Sequence, residues 1–186
     1  MNNVPTPQSR ASVLLHVCCA PCAPHPIELL QQQYRVTLFF SNSNIAPRDE
    51  YLVRLQHVRR LVSIYHLELI EDEYDHTAWL EHVRGLEDEP ERGARCVACF
   101  AFSLRRAGEY AAQHGFDAFT TTLTVSPHKA TEKIFAVGQR FANFLPLDFK
   151  KQDGYARSTA RARQHHFYRQ EYCGCEFSQK RHRQSA

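Results

Sequence analysis

The chain has no long apolar run. Its longest hydrophobic stretches, such as Val13 to Val17 and Val36 to Phe40, fall far short of the roughly 20 residues a membrane span needs. The first residues, M-N-N-V-P-T-P-Q-S-R, are polar and contain no apolar segment of signal length, so the expected setting is the cytoplasm, away from any membrane. Internal repeats and low-complexity segments are also missing, which argues against a solenoid or a linker-rich chain. Net charge is small, +3 over 186 residues. A disordered reading fails on the aromatic content, with 12 Phe, 8 Tyr and 1 Trp. What remains is one globular domain of ordinary composition, long enough to bury a core without covalent staples.

The small net charge is unevenly placed. Residues 150–186 hold nine Lys and Arg against three acids, while residues 1–149 hold fourteen against seventeen. A basic C-terminal fifth on a slightly acidic body fits either an acidic partner, nucleic acid first among them, or a solvated face.

Seven cysteines carry the strongest signal, and they fall in three groups: C-C-A-P-C (Cys18, Cys19, Cys22), C-V-A-C (Cys96, Cys99) and C-G-C (Cys173, Cys175). An odd number in a chain read as cytoplasmic argues against a disulfide framework. Every cysteine lies within three residues of another, so scattered core thiols do not explain them. Two C-x-x-C pairs suit zinc or an iron–sulfur cluster, and spacing alone does not separate the two. The vicinal Cys18 and Cys19 are awkward for one zinc and suit a larger cluster. Seven thiols also exceed one four-thiolate site, which points to two functions.

Hydrophobic pattern places these groups on a fold. Short strands are expected at 13–17, 36–40, 67–70, 116–124 and 144–149. Helices are expected after Cys22 and over 48–65, 76–83, 99–114 and 131–141, with a basic helix from about 150 to about 170. Strands alternating with helices imply a parallel, doubly wound sheet, which binds ligands beyond the carboxyl ends of its strands. The cysteine groups are therefore expected to converge there. Domain limits follow: a flexible segment 1–11, one α/β domain 12–178 including the basic helix, and a tail 179–186.

The blocks H-V-C-C-A-P-C, N-I-A-P-R-D-E-Y, E-R-G-A-R-C-V-A-C, T-T-T-L-T-V-S-P-H-K, D-F-K-K-Q-D-G-Y and Y-R-Q-E-Y-C-G-C-E-F-S occur in this order over residues 12–178. This set resembles the epoxyqueuosine reductase QueH family. The resemblance implies a Rossmann-like (nucleotide-alpha-hydrolase-like) fold whose first phosphate loop is replaced by cysteines. It implies reduction of epoxyqueuosine to queuosine at the wobble position of tRNA, by two-electron removal of the epoxide oxygen and without cobalamin. It implies a [4Fe–4S] cluster on Cys18, Cys19, Cys96 and Cys99, and a redox-active pair at Cys173 and Cys175. Its substrates would be tRNAs with G-U-N anticodons (Asp, Asn, His, Tyr), and its electrons would come from an external donor.

Around that frame the residues leave choices open. A strained disulfide between Cys173 and Cys175 would be easily reduced and suits cycling. The same two thiols with Cys22 are also candidates for a second metal site, an additional iron or other divalent ion acting as Lewis acid. Asp148, Tyr155, Tyr168 and Tyr172 are candidate acids. His16 reads as a core or supporting histidine, and Ser126 and Lys129 as a phosphate or ribose contact or a helix cap. Lys150, Lys151, Arg157, Arg161, Arg163 and Arg169 are the candidate phosphate track, with Tyr155, Phe167 and Tyr168 available for base stacking. Two other functions compete: a zinc-stabilised nucleic-acid-binding module, and a thiol-based tRNA sulfur-transfer enzyme.

Overall fold

The computed structural model describes residues 10–179. Most of the expected segment 1–11 and of the tail 179–186 lies outside the described residues. Four strands, β1 (Ser12–His16), β2 (Arg35–Phe40), β3 (Glu68–Glu71) and β4 (Ala118–Thr121), form one sheet in the order β3-β2-β1-β4. All three pairings are parallel. Helices flank it: α1 (Pro24–Leu30), α2 (Arg48–Tyr65), α3 (His76–His82), α4 (Ala94–Gln113), α5 (Thr131–Gly138) and α6 (Gly154–Gln164). No helix among the described residues is long and apolar enough to cross a membrane.

The sheet is covered on both faces, so β1 is buried at every position and reads as a continuous apolar run. Side chains alternate between two cores. Val13, Leu15 and Val17 join Leu38, Phe40 and the apolar faces of α1 and α2. Leu14 and Phe39 join Phe100, Leu104 and Ala107 of α4 and Ile134 and Val137 of α5. Each such side chain contributes about 1.5–3 kcal/mol by leaving water.

The helix expected at 48–65 is present over those residues. Asp49 and Glu50 complement the macrodipole in its first turn, and His66 ends it in the left-handed region at φ 52°. Helix α4 starts earlier than expected, at Ala94, because Gly93 caps it and Glu89 Oε2 accepts from Ala94 N (3.0 Å). Cys96 and Cys99 thus share one helical face, three residues apart. The expected fifth strand at 144–149 reduces to one bridge, Phe119 to Phe144. Pro146 has no N–H to continue the ladder. The basic helix is also shorter than expected. Gln152 and Asp153 take positive φ (54° and 58°) before it, and His166 (φ 51°) after it.

The order β3-β2-β1-β4 means the chain leaves β1 on one side and returns on the other. The segments after β1 and β4 therefore diverge at a switch point beyond the carboxyl edge. Cys18 to Cys22 follow β1, and the 3-10 turn Thr122–Val125 follows β4. The two meet directly, with Cys18 N donating to Thr122 Oγ1 (3.3 Å).

Candidate active site

A cavity of about 840 Å³ opens at this edge, lined by Cys22, Cys96, Cys99, Cys173 and Cys175 among others. That size suits a nucleoside-sized ligand. A smaller recess of about 60 Å³ at the same edge is lined by Cys18, Cys22, Cys99 and Cys173. The three cysteine groups, distant in sequence, do converge, and all seven are free thiols.

They converge as two sets. The Sγ atoms of Cys18, Cys19 and Cys22 lie within 4.8 Å of one another. Cys96 and Cys99 of α4 face Cys173 and Cys175, close enough for their charges to interact. The trio owes its shape to the turn of 3-10 helix at Ala20–Cys22, where Pro21 sits in the first turn. Within it, Cys18 is the thiol held well below the ordinary value, by hydrogen bonds from Cys19 and Cys22 and then by the charge of Lys129. Cys19 is pushed up to about 12, first by its hydrogen bond with Cys18. Burial raises Cys99, and it pushes Cys175 up to about 11.

Lys129 stands between the sets. Its Nζ lies 3.6 Å from Cys173 Sγ. The charge of Cys173, followed by those of the trio, raises its pKa, so the ammonium stays charged. Lys150 fixes the backbone here, its Nζ donating to Lys129 O (2.6 Å) and Thr131 Oγ1 (2.8 Å). Lys150 is thus an internal strut. Ser126 lines the cavity and accepts from His128 N (3.2 Å), closing the turn before α5.

The C-G-C segment is anchored from α2. Arg54 is buried, and its Nη1 and Nη2 donate to Cys173 O (3.0 Å) and Tyr172 O (3.2 Å). Its Nε pairs with Glu50 Oε1 (2.7 Å). Gly174 takes φ +136°, where a Cβ would lie 3.2 Å from Ile45 Cγ1 and 3.3 Å from Arg54 Nη1. Ala46 N donates to Gly174 O (2.9 Å), which ties the segment to the loop after β2. Gln170 Nε2 reaches Cys19 Sγ (3.3 Å) and links this segment to the trio.

The candidate acids separate. Tyr155 lines the cavity and its hydroxyl accepts from Arg169 Nη2 (2.8 Å). Tyr172 also lines it, but its hydroxyl donates to Ala46 O (2.6 Å), and burial pushes its pKa up to about 12. Tyr168 donates to Glu50 Oε2 (2.9 Å). Asp148 lies outside the lining and accepts from Lys150 N (3.1 Å). His16 is a core histidine, bonded to Thr121 Oγ1 (2.9 Å) and Ser41 O (3.1 Å), its pKa lowered by burial.

The six basic residues do not form one stripe. Arg163 and Arg169 line the cavity with His166 and Phe167. Arg161 faces α1 and pairs with Glu28 (3.0 Å). Arg157 acts on His25 of α1, lowering its pKa after burial has done so. Lys151 is exposed in the turn before α6. The cavity is also lined by Arg92 and Lys133, which lie outside residues 150–186, and Lys133 Nζ donates to Arg92 O (2.6 Å).

Other lining residues went unread in the sequence, Trp79, Arg95 and Gln170 among them. Arg54 had a signal: it follows Tyr51 by three residues on the apolar stripe of α2, an odd position for an unpaired cation.

A parallel α/β sheet with thiols from three chain segments around a cavity at its carboxyl edge defines a Rossmann-like, cysteine-rich protein. The profile of epoxyqueuosine reductase QueH matches residues 13–181, and the chain belongs to this family. A relative of that name from Streptococcus pyogenes serotype M1 is 41% identical over 182 residues, covering 92% of this chain and 71% of the relative. The one from Haemophilus influenzae is 36% identical over 179 residues, with 92% and 73% covered. The one from Thermotoga maritima is 33% identical over 178 residues and covers 90% of each chain.

Proposed function

We propose that this protein reduces epoxyqueuosine to queuosine at the wobble position of tRNA, with an iron–sulfur cluster and without cobalamin. The observation that carries the reading is the single cavity of about 840 Å³ that five cysteines from three segments share with Arg163 and Arg169. The reaction takes two electrons and two protons, opens the epoxide to an alkene and releases its oxygen as water.

The donor set fits a cluster, since four thiolates suffice for [4Fe–4S]. Its proposed ligands are Cys18, Cys19, Cys96 and Cys99, and when bound it supplies electrons one at a time. Oxidation of Cys173 and Cys175 to a disulfide releases two electrons and two protons, and an external donor then restores the thiols. Lys129 keeps a positive charge between the two thiol sets, where negative charge gathers. Tyr155, oriented by Arg169, is the proposed acid at the cavity wall. Arg163 and Arg169 meet phosphates, and Tyr155 and Phe167 offer rings to an unstacked base. The proposed tRNAs are those with G-U-N anticodons for Asp, Asn, His and Tyr, and the proposed setting is the cytoplasm.

A second ligand assignment has its own observation. The Sγ atoms of Cys18, Cys19 and Cys22 already lie within 4.8 Å of one another, a set suited to one divalent ion. Cys96, Cys99, Cys173 and Cys175 would then hold the cluster.

Anaerobic protein reconstituted with iron and sulfide, given a chemical reductant and epoxyqueuosine-containing tRNA, should yield queuosine by nucleoside mass spectrometry. A colourless zinc protein that binds the tRNA unchanged would refute the reading in favour of a binding module. A thiolated base would refute it in favour of sulfur transfer.

A further inference from the structure

Two buried side chains beside Cys96 and Cys99 carry donors that find no oxygen or nitrogen acceptor among the described residues. Trp79 is fully buried, and among the described residues its indole Nε1 finds no oxygen or nitrogen acceptor. It packs in one cluster with Cys99, Cys175 and Phe177, and the acceptor within its reach is the Cys99 sulfur, which its N–H stabilises against the penalty of burial. Arg95 is 1% exposed. Its Nη1 donates to the carbonyls of Leu86, Glu87 and Glu89 at 3.3, 2.6 and 2.6 Å. Its Nε and Nη2 have no hydrogen-bond partner among the described residues, and its guanidinium carbon lies 5.0 Å from the centre of the Phe177 ring. Both side chains line the large cavity together with Cys96 and Cys99.

Packing alone does not call for these residue types. A phenylalanine would fill much of the space of Trp79 without burying an N–H that finds no oxygen or nitrogen acceptor, and an aliphatic chain in place of Arg95 would avoid a buried charge. Buried donors without partners are rare and costly, and a buried cation needs an anion near it. The sulfurs of Cys96 and Cys99 share this wall with the Glu91 carboxylate, and the charge of Arg95 acts on Cys96. Thiolate and sulfide sulfurs accept hydrogen bonds, and such bonds set the potential of an iron–sulfur centre.

We propose that Trp79 and Arg95 are positioning residues that donate to the anionic sulfur group assembled on Cys96 and Cys99, the indole from the Cys99 side and the guanidinium beside Cys96. The inference rests on the iron–sulfur reading above and is common to both ligand assignments, since Cys96 and Cys99 belong to each. Reduction adds negative charge to the group, so losing a donor makes reduction harder and lowers the midpoint potential.

The test compares the parent with Trp79→Phe, Arg95→Met and Arg95→Lys after anaerobic reconstitution, by iron and sulfide content and by a potentiometric titration followed by electron paramagnetic resonance. Trp79→Phe should load as the parent does. It should be reduced with an equilibrium constant about tenfold less favourable, a shift of about 59 mV for one electron. Arg95→Met should shift further in the same direction, and Arg95→Lys should recover part of that shift. Parent potentials in loaded Trp79→Phe and Arg95→Met would overturn the proposal. Should Arg95→Met fail to fold, having lost the donor to three carbonyls, Trp79→Phe decides alone. Failure of the parent to take up iron and sulfide would sink the iron–sulfur reading instead. Cobalt(II) titration of the same proteins then decides the donor role, through the thiolate-to-metal absorption. About tenfold weaker binding by Trp79→Phe supports the proposal, and equal binding overturns it.

Discussion

Arg54 gives the sharpest test of how the C-G-C segment is held. Its guanidinium supplies two charged hydrogen bonds to the carbonyls of Tyr172 and Cys173, from a side chain 2% exposed. Arg54→Met alone would strand Glu50, which is 12% exposed, so the variant should be Glu50→Gln with Arg54→Met. Hydrogen bonds to charged groups contribute about 1.5–3 kcal/mol each. Losing two that act on one short segment should cost about 3 kcal/mol of local stability. The segment's opening equilibrium would then rise roughly a hundredfold, at about 1.4 kcal/mol per factor of ten. Cys175 reports that opening, because it is 9% exposed in the closed segment. In reduced, metal-free protein, alkylation of Cys175 by iodoacetamide should accelerate about a hundredfold while opening and closing stay fast. Peptide mass spectrometry gives the rate at each cysteine. An unchanged Cys175 rate would refute the reasoning. So would equal acceleration at every cysteine matched by an equal loss of global stability, because Arg54 would then support the whole fold and not this segment.

Three further outcomes are expected. Gly174→Ala should lose about 1–3 kcal/mol in urea denaturation, because its φ of +136° disfavours any side chain and the new Cβ meets Ile45 and Arg54; a change under about 0.5 kcal/mol would contradict this. Lys150→Met should cost about 1–3 kcal/mol through its two lost bonds and leave the salt dependence of tRNA binding unaltered, whereas a shallower log–log slope would return Lys150 to the phosphate track. In metal-free, reduced protein, stability should fall as pH rises from the ordinary thiol range toward about 11. The folded state keeps the Cys175 proton that the unfolded chain has lost, so Cys175→Ala should flatten the slope by up to about 1.4 kcal/mol per pH unit.

Where local chemistry decides structure, the sequence was a sound guide. The apolar stripe at Tyr51, Leu55, Val58 and Val62 gave α2, and the buried runs gave β1 and β2. Alternation of strand and helix was enough to bring C-C-A-P-C beside the segment after β4. The failures came where one atom or one dihedral outweighs a pattern. Pro146 stops a fifth strand, and Gln152, Asp153 and His166 trim the basic helix by turning left-handed. The division of the thiols into two sets was not legible, because it depends on the shape of a 3-10 turn and on where α4 begins. Charge counted along the chain also misled, since Lys150 and Arg161 spend their charges on the protein itself while Arg92 reaches the cavity from elsewhere.

The seven thiols differ in mechanical compliance. Cys96 and Cys99 ride on a helix of 20 residues whose other face is packed into the core, and Cys18 to Cys22 spring from a central strand into a tight turn. Such stiff mounts hold these sulfur positions fixed relative to the sheet and its core. Cys173 and Cys175 sit on irregular backbone hinged at Gly174, held by carbonyl contacts that can be made and broken. That part of the site can shift without straining the frame around it.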